Sequence, residues 1–161
     1  MASEELVEFI KSWEQLKLRS SEDRVARGKY DIGYGHLIDP KDHPMVITKE
    51  QAHEMLMEDI AYIEDKIDSL VTVFITRNER DALITFAYNV GVGHKDRDDP
   101  TKDIGFAGST LLERLNEGDY NGAADEFKRW NRSQGRVILG LTKRRAAEED
   151  MFRYADYSGR P

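Results

Sequence analysis

The stretch Phe9–Leu37, FIKSWEQLKLRSSEDRVARGKYDIGYGHL, decides how the chain is read. It places Glu14 at the end of an apolar-periodic segment and the acidic pair Glu22-Asp23 eight and nine residues later. A Gly-rich, alternating segment ending in His36 closes it. Carboxylates on a helix end and on the loop beyond can converge only if a tight turn folds between them. Two such carboxylates facing a cleft are what cleavage of a glycosidic bond requires. The segment is a candidate active site.

Working outward, Ser3-Glu4-Glu5 supplies a cap and an acidic first turn for a helix over about residues 3–13, with Leu6, Ile10 and Trp13 on one side. Tyr30, Ile32 and Tyr34 alternate among Gly28, Gly33 and Gly35, the period of short strands. Asp31 then points to the face opposite Tyr30 and Ile32. Thr48-Lys-Glu-Gln51 is a capping box, and the apolar steps from Ala52 to Leu70 give a long helix one buried stripe. Thr76-Arg-Asn-Glu79 is a second capping box. Ser109, Asp119 and Thr142 are expected to cap three further helices, running through Leu115, Trp130 and Tyr154. Beyond position 48 the pattern is essentially all helical. The fold class is α+β.

At 161 residues the chain is long enough for a core without covalent staples. It has no cysteine, so disulfides and thiolate metal sites are excluded. His36, His43, His53 and His94 lack metal-ligand spacing, and no metal or other cofactor is expected. Net charge −7 argues against a nucleic-acid partner. The basic segment from Lys128 to Arg145 is the local exception. The N-terminus has neither the basic start nor the apolar run of a secretory signal. Synthesis in the cytoplasm, no membrane insertion and a monomeric state are the expectations.

The ordered motifs resemble the phage-type lysozymes, the endolysin muramidases. The resemblance rests on Glu14-Gln15, Asp23, Asp31-Ile-Gly-Tyr-Gly-His36, Phe86-Ala-Tyr-Asn-Val-Gly91, Ser109-Thr-Leu-Leu, Leu115-Asn-Glu-Gly-Asp-Tyr120, Phe127-Lys-Arg-Trp130 and Gly140-Leu-Thr-Lys-Arg-Arg-Ala-Ala-Glu148. It spans nearly the whole chain. It implies a lysozyme-like fold: a strand lobe over about 15–47, a connecting helix over about 48–71, and a helical lobe over about 72–161 with helix 3–13 packed on it. It also implies an enzyme that hydrolyses the β-1,4 bond between N-acetylmuramic acid and N-acetylglucosamine. Peptidoglycan strands would lie between the lobes, reached after release to the wall by a separate membrane-permeabilising protein.

By the same resemblance Glu14 is the general acid and Asp23 the second carboxylate, with Glu22 its competitor. Leu37, Tyr88, Asn89 and Ser109 would contact saccharide. The sequence departs from the family in three ways that matter, one of them Ser21 in place of the family's tyrosine just before the acidic residue. Asp31 replaces the threonine that holds the attacking water, and the step from Asp23 to Asp31 is two residues longer than the common pattern. An aspartate there can act as base or attack the anomeric carbon, and the carboxyl separation selects an inverting or a retaining route. The same departures motivate two rivals, a catalytically impaired wall-binding or scaffolding domain and, from another reaction class, a transglycosylase that needs Glu14 alone. The charged stretch His94–Gly105 reads as a loop insertion.

Overall fold

The computed structural model describes all 161 residues. Helix α1 covers Glu4–Trp13, capped by Ser3, whose hydroxyl accepts the Leu6 N–H at 3.2 Å. Its Leu6, Val7, Phe9 and Ile10 are buried. Three strands follow, β1 (Lys17–Glu22), β2 (Tyr30–Gly33) and β3 (His36–Ile38), in an antiparallel sheet of that order. Helix α2 runs over Lys49–Leu70 and opens with the expected capping box: the Thr48 N–H donates to Gln51 Oε1 at 2.9 Å and the Gln51 N–H to Thr48 Oγ1 at 3.1 Å. Contacts divide the chain into two compact units, Met1–Ala61 and Tyr62–Pro161, the division falling inside α2.

In the first unit Ile32, Ile47 and Ala52 form a small core, and Leu16, Leu18, Tyr34, Ile38, Met45 and Met55 pack around it. Strand β1 does not run straight along β2. Lys17 pairs with Gly33 but Ser21 with Asp31, so four steps on β1 match two on β2. The bulged stretch turns instead to the segment before α2, with Ser20 N–H bonded to Met45 O and Ile47 N–H to Leu18 O. A bulge of this kind twists a strand and re-aims its side chains.

The second unit contains α3 (Arg77–Val90), α4 (Thr110–Asn116), α5 (Tyr120–Glu126) and α6 (Leu139–Tyr154). Thr76 and Glu79 make the second capping box. Ser109 and Asp119 cap α4 and α5 as expected. Three expectations need correction. Thr142 caps nothing, because α6 already starts at Leu139 with Ile138 as its N-cap; the Thr142 hydroxyl donates to Ile138 O at 3.2 Å. Helix α5 stops at Glu126, and a 3₁₀ turn over Phe127–Arg129 leads to Trp130. The unit is also not wholly helical, since β4 (Arg132–Ser133) and β5 (Arg136–Val137) form a hairpin. Phe86, Phe127 and Phe152 anchor its core, with Phe86 edge-on to both Phe127 and Trp130 at 5.4 Å. No helix is long and apolar enough to cross a membrane.

Candidate active site

Glu14 is the C-cap of α1. Its backbone is extended (φ −104°, ψ 133°), while its N–H still reaches Ile10 O at 3.1 Å. The chain therefore leaves the helix at the candidate acid itself, a half-buried residue. Trp13 beside it packs on Phe9, ring centroids 6.2 Å apart. Gly35 fixes the other side. Its φ is +87°, and a Cβ there would sit 3.6 Å from Glu14 Oε2. The β2–β3 turn thus brings bare backbone against the carboxylate, which a glycine permits.

Asp31 stands opposite Ser21 on β1 and Leu37 on β3. Cross-strand partners point to the same face of a sheet. Ile32, next in the strand, is fully buried on the other face, so Asp31 is turned away from the core as the alternation predicts. Its Oδ1 accepts from Lys17 Nζ at 2.7 Å and lies 3.4 Å from Ser21 Oγ, and Lys17 also donates to Ser21 Oγ at 3.1 Å. Lys17 thereby supplies a cation that offsets the Asp31 carboxylate. Exposed Leu37 lies beside it on the edge strand.

Asp23 opens the hairpin loop between β1 and β2, which its N–H closes on Lys29 O at 2.8 Å. Oδ1 accepts the N–H groups of Val25 at 2.7 Å and Ala26 at 2.9 Å, while Oδ2 makes no such bond. The Ala26 and Val25 N–H groups, in that order, hold the carboxyl below the usual carboxylate range. Asp23 is thus ionised and locally fixed. Glu22, its competitor, turns its Oε1 to the Gly28 N–H at 2.8 Å. Asp23 and Asp31 line one groove of about 620 Å³ with Lys17, Arg19, Ser21, Glu22 and Arg24. Gln15, adjacent to Glu14 in the chain, also lines it.

The remaining residues fall elsewhere. His36 Nδ1 is held by Asp59 of α2 at 2.9 Å, a supporting contact. Ser109 is buried, accepting the Leu112 N–H at 3.1 Å and donating to Phe106 O at 2.7 Å, so its hydroxyl is spent on the helix cap. Asn89 accepts from Arg145 at 2.9 Å and lines a second groove of about 480 Å³ with Trp130, Arg129 and Arg132. Tyr88, half-buried, precedes it on α3. Arg144 and Arg145 are buried on Glu148 at 3.2 and 2.7 Å, the paired arrangement rather than an open cationic one. The acids of the His94–Gly105 loop serve that loop's own backbone, Asp103 Oδ1 accepting the Asp96 N–H and Asp96 Oδ1 those of Asp98 and Asp99.

Two residues central to this geometry were not legible as site residues, Lys17 and Gly35. Lys17 begins a strand whose register to Asp31 is set by the bulge, which no local pattern announces. Gly35 carried a signal, a glycine in a tight turn beside the strand of Asp31.

A helix-terminal glutamate beside a small three-stranded sheet with two further carboxylates in an open groove is an arrangement fit for glycoside chemistry. Residues 11–148 match the family model for phage lysozyme. The chain is 41% identical over 146 residues to an endolysin of Bacillus phage PZA, a match covering 91% of this chain and 52% of that protein. This chain thus spans about half the length of that relative. Among solved structures it is similar to the muramidase domain of SpmX from Asticaccaulis excentricus, at 30% identity and TM-score 0.76, covering 95% of this chain and 97% of that one. An endolysin from Escherichia coli O157:H7 phage FAHEc1 is similar at 31% identity and TM-score 0.74, covering 98% and 96%. The chain belongs to the phage lysozyme family.

Proposed function

We propose that this chain is an endo-acting peptidoglycan hydrolase that cleaves the β-1,4 bond from N-acetylmuramic acid to N-acetylglucosamine. The observation that carries the reading is Glu14 at the exit of α1, its carboxylate against the bare backbone of Gly35. Glu14 protonates the leaving glycosidic oxygen as general acid. Asp23, kept anionic by the loop N–H groups, stabilises positive charge developing at the anomeric carbon. Asp31 takes the task the family gives to threonine: Lys17 fixes Oδ1, leaving Oδ2 to orient or deprotonate the attacking water. Water is the only co-reactant, so the carboxylates suffice without a metal. Leu37, Tyr88 and Asn89 are the saccharide contacts this reading retains, and Ser109 acts through the α4 cap.

One observation favours a second reading. The 2.7 Å Lys17–Asp31 pair fills part of the groove where water would be activated, as it would in an impaired wall-binding domain. Digestion of purified peptidoglycan followed by mass spectrometry of the soluble products separates the possibilities. Hydrolysis yields fragments ending in reducing N-acetylmuramic acid. Anhydro-muramic ends would mean transglycosylation, and wall binding without soluble product would mean the impaired domain.

A further inference from the structure

The chain has 24 lysines and arginines against 31 acids, yet seven of those cations and none of the acids lie between Phe127 and Ala147. Arg144 and Arg145 are spent on buried Glu148, and Arg129 pairs with Glu126 at 3.2 Å. Lys128, Arg132, Arg136 and Lys143 are exposed and make no ion pair. Three consecutive aliphatic residues sit among them, Val137, Ile138 and Leu139, at 54%, 41% and 69% exposure.

The local fold brings Arg132, Val137, Leu139 and Lys143 close together. Val137 is the register partner of Arg132 across the β4–β5 hairpin, so the two point to the same face. The Ile138 N–H closes on Asn131 O at 2.9 Å, fixing the hairpin at the entry to α6. Leu139 opens that helix, and Lys143 lies one turn on, on the same side. Cations alone would suit any polyanion. Exposed aliphatics alone would suit any apolar partner. Their interleaving fits a surface with anionic headgroups above an acyl layer.

We infer that the β4–β5 hairpin and the first turn of α6 form a docking surface for an anionic lipid bilayer, with Arg132 and Lys143 at the headgroups and Val137 and Leu139 in the acyl boundary. The acidic remainder of the chain is repelled by such a surface, which confines adsorption to this patch. The inference does not depend on hydrolytic activity, and none of the four residues belongs to the Glu14 site.

The test is co-sedimentation of the 161-residue chain with vesicles of phosphatidylcholine alone or mixed with phosphatidylglycerol. Partition into the mixed vesicles alone, weakening as salt rises, is expected. Arg132→Gln with Lys143→Gln should lower it about 25-fold, roughly fivefold for each cation removed. Val137→Thr with Leu139→Asn, which leaves the charge unchanged, should lower it about tenfold. Circular dichroism of each variant establishes that the fold is retained. Equal partition into neutral vesicles, or none into either kind, overturns the inference. So does an apolar variant that binds as well as the native chain, which would identify a simple polyanion site. A dimer in sedimentation velocity that dissociates on Leu139→Asn would show instead that a second copy covers the patch.

Discussion

Replacing Gly35 by alanine separates backbone strain from interference at the candidate acid. At φ +87° a Cβ-bearing residue is strained, at about 1–2 kcal/mol. The new methyl would lie 3.6 Å from Glu14 Oε2, an ordinary contact distance, so the space itself adds no clash. On the proposed mechanism it would displace water from the carboxylate and stand in the path of the sugar. Gly118, at φ +83° with nothing within 4 Å of an added Cβ, is the matched control in the turn between α4 and α5. Both variants should lose about 1–2 kcal/mol in urea unfolding. Only Gly35→Ala should also lose turnover beyond what the unfolded fraction explains, by about tenfold in clearance of a peptidoglycan suspension, since small misplacements at a reacting centre are costly. Equal specific activity of the two folded variants would refute the assignment of the Glu14–Gly35 contact to the reaction.

Three further outcomes follow from charges elsewhere. Glu148 is fully buried between Arg144 and Arg145, burial pushing its carboxyl upward against the pull of the two guanidiniums; Glu148→Gln should cost about 3–5 kcal/mol by urea unfolding because the buried cations lose their counter-charge, and a loss below about 1 kcal/mol would contradict that. Burial raises the Asp81 carboxyl despite the Tyr157 hydroxyl at 2.7 Å and nearby Arg77. A raised folded-state acid contributes stability below its unfolded value, near pH 4, and that contribution is lost as pH climbs through the folded value. Asp81→Asn should therefore match or exceed the native chain at pH 7 and lose this advantage on acidification; marked destabilisation at neutral pH would reverse the sign. Lys17→Met removes a partly exposed pair, so stability should change by less than about 1 kcal/mol. Turnover should nonetheless fall about tenfold and return with Lys17→Arg; unchanged turnover would remove Lys17 from the site.

What the sequence made legible was whatever local chemistry determines. Capping boxes at Thr48 and Thr76 set the starts of α2 and α3, and the apolar stripe of α2 ended at Leu70, within a residue of expectation. Alternation alone turned Asp31 away from Ile32. The misses share a dependence on partners distant in the chain. Thr142 looks like a cap, but Asn131 donates to its hydroxyl at 3.1 Å while apolar Ile138 begins the helix. The β4–β5 strands are too short to alternate, and their turn is betrayed only by Gln134-Gly135, both at positive φ. Ser109 illustrates a different ambiguity, because one hydroxyl suits a helix cap and a sugar contact equally until its bonds are known. The Lys17–Asp31 pair needs the β1 bulge, which arises from pairing with Met45–Ile47 some 25 residues on.

Proton donation by Glu14 is the centre of the account, and Glu14→Gln tests it most directly because the amide keeps the shape and cannot supply the proton. Release of reducing ends from purified peptidoglycan should fall by about 10²–10⁴-fold, the usual contribution of a general acid, with the unfolding transition little changed. Undiminished release from a folded Glu14→Gln protein would show that the proton comes from another group and would contradict the account.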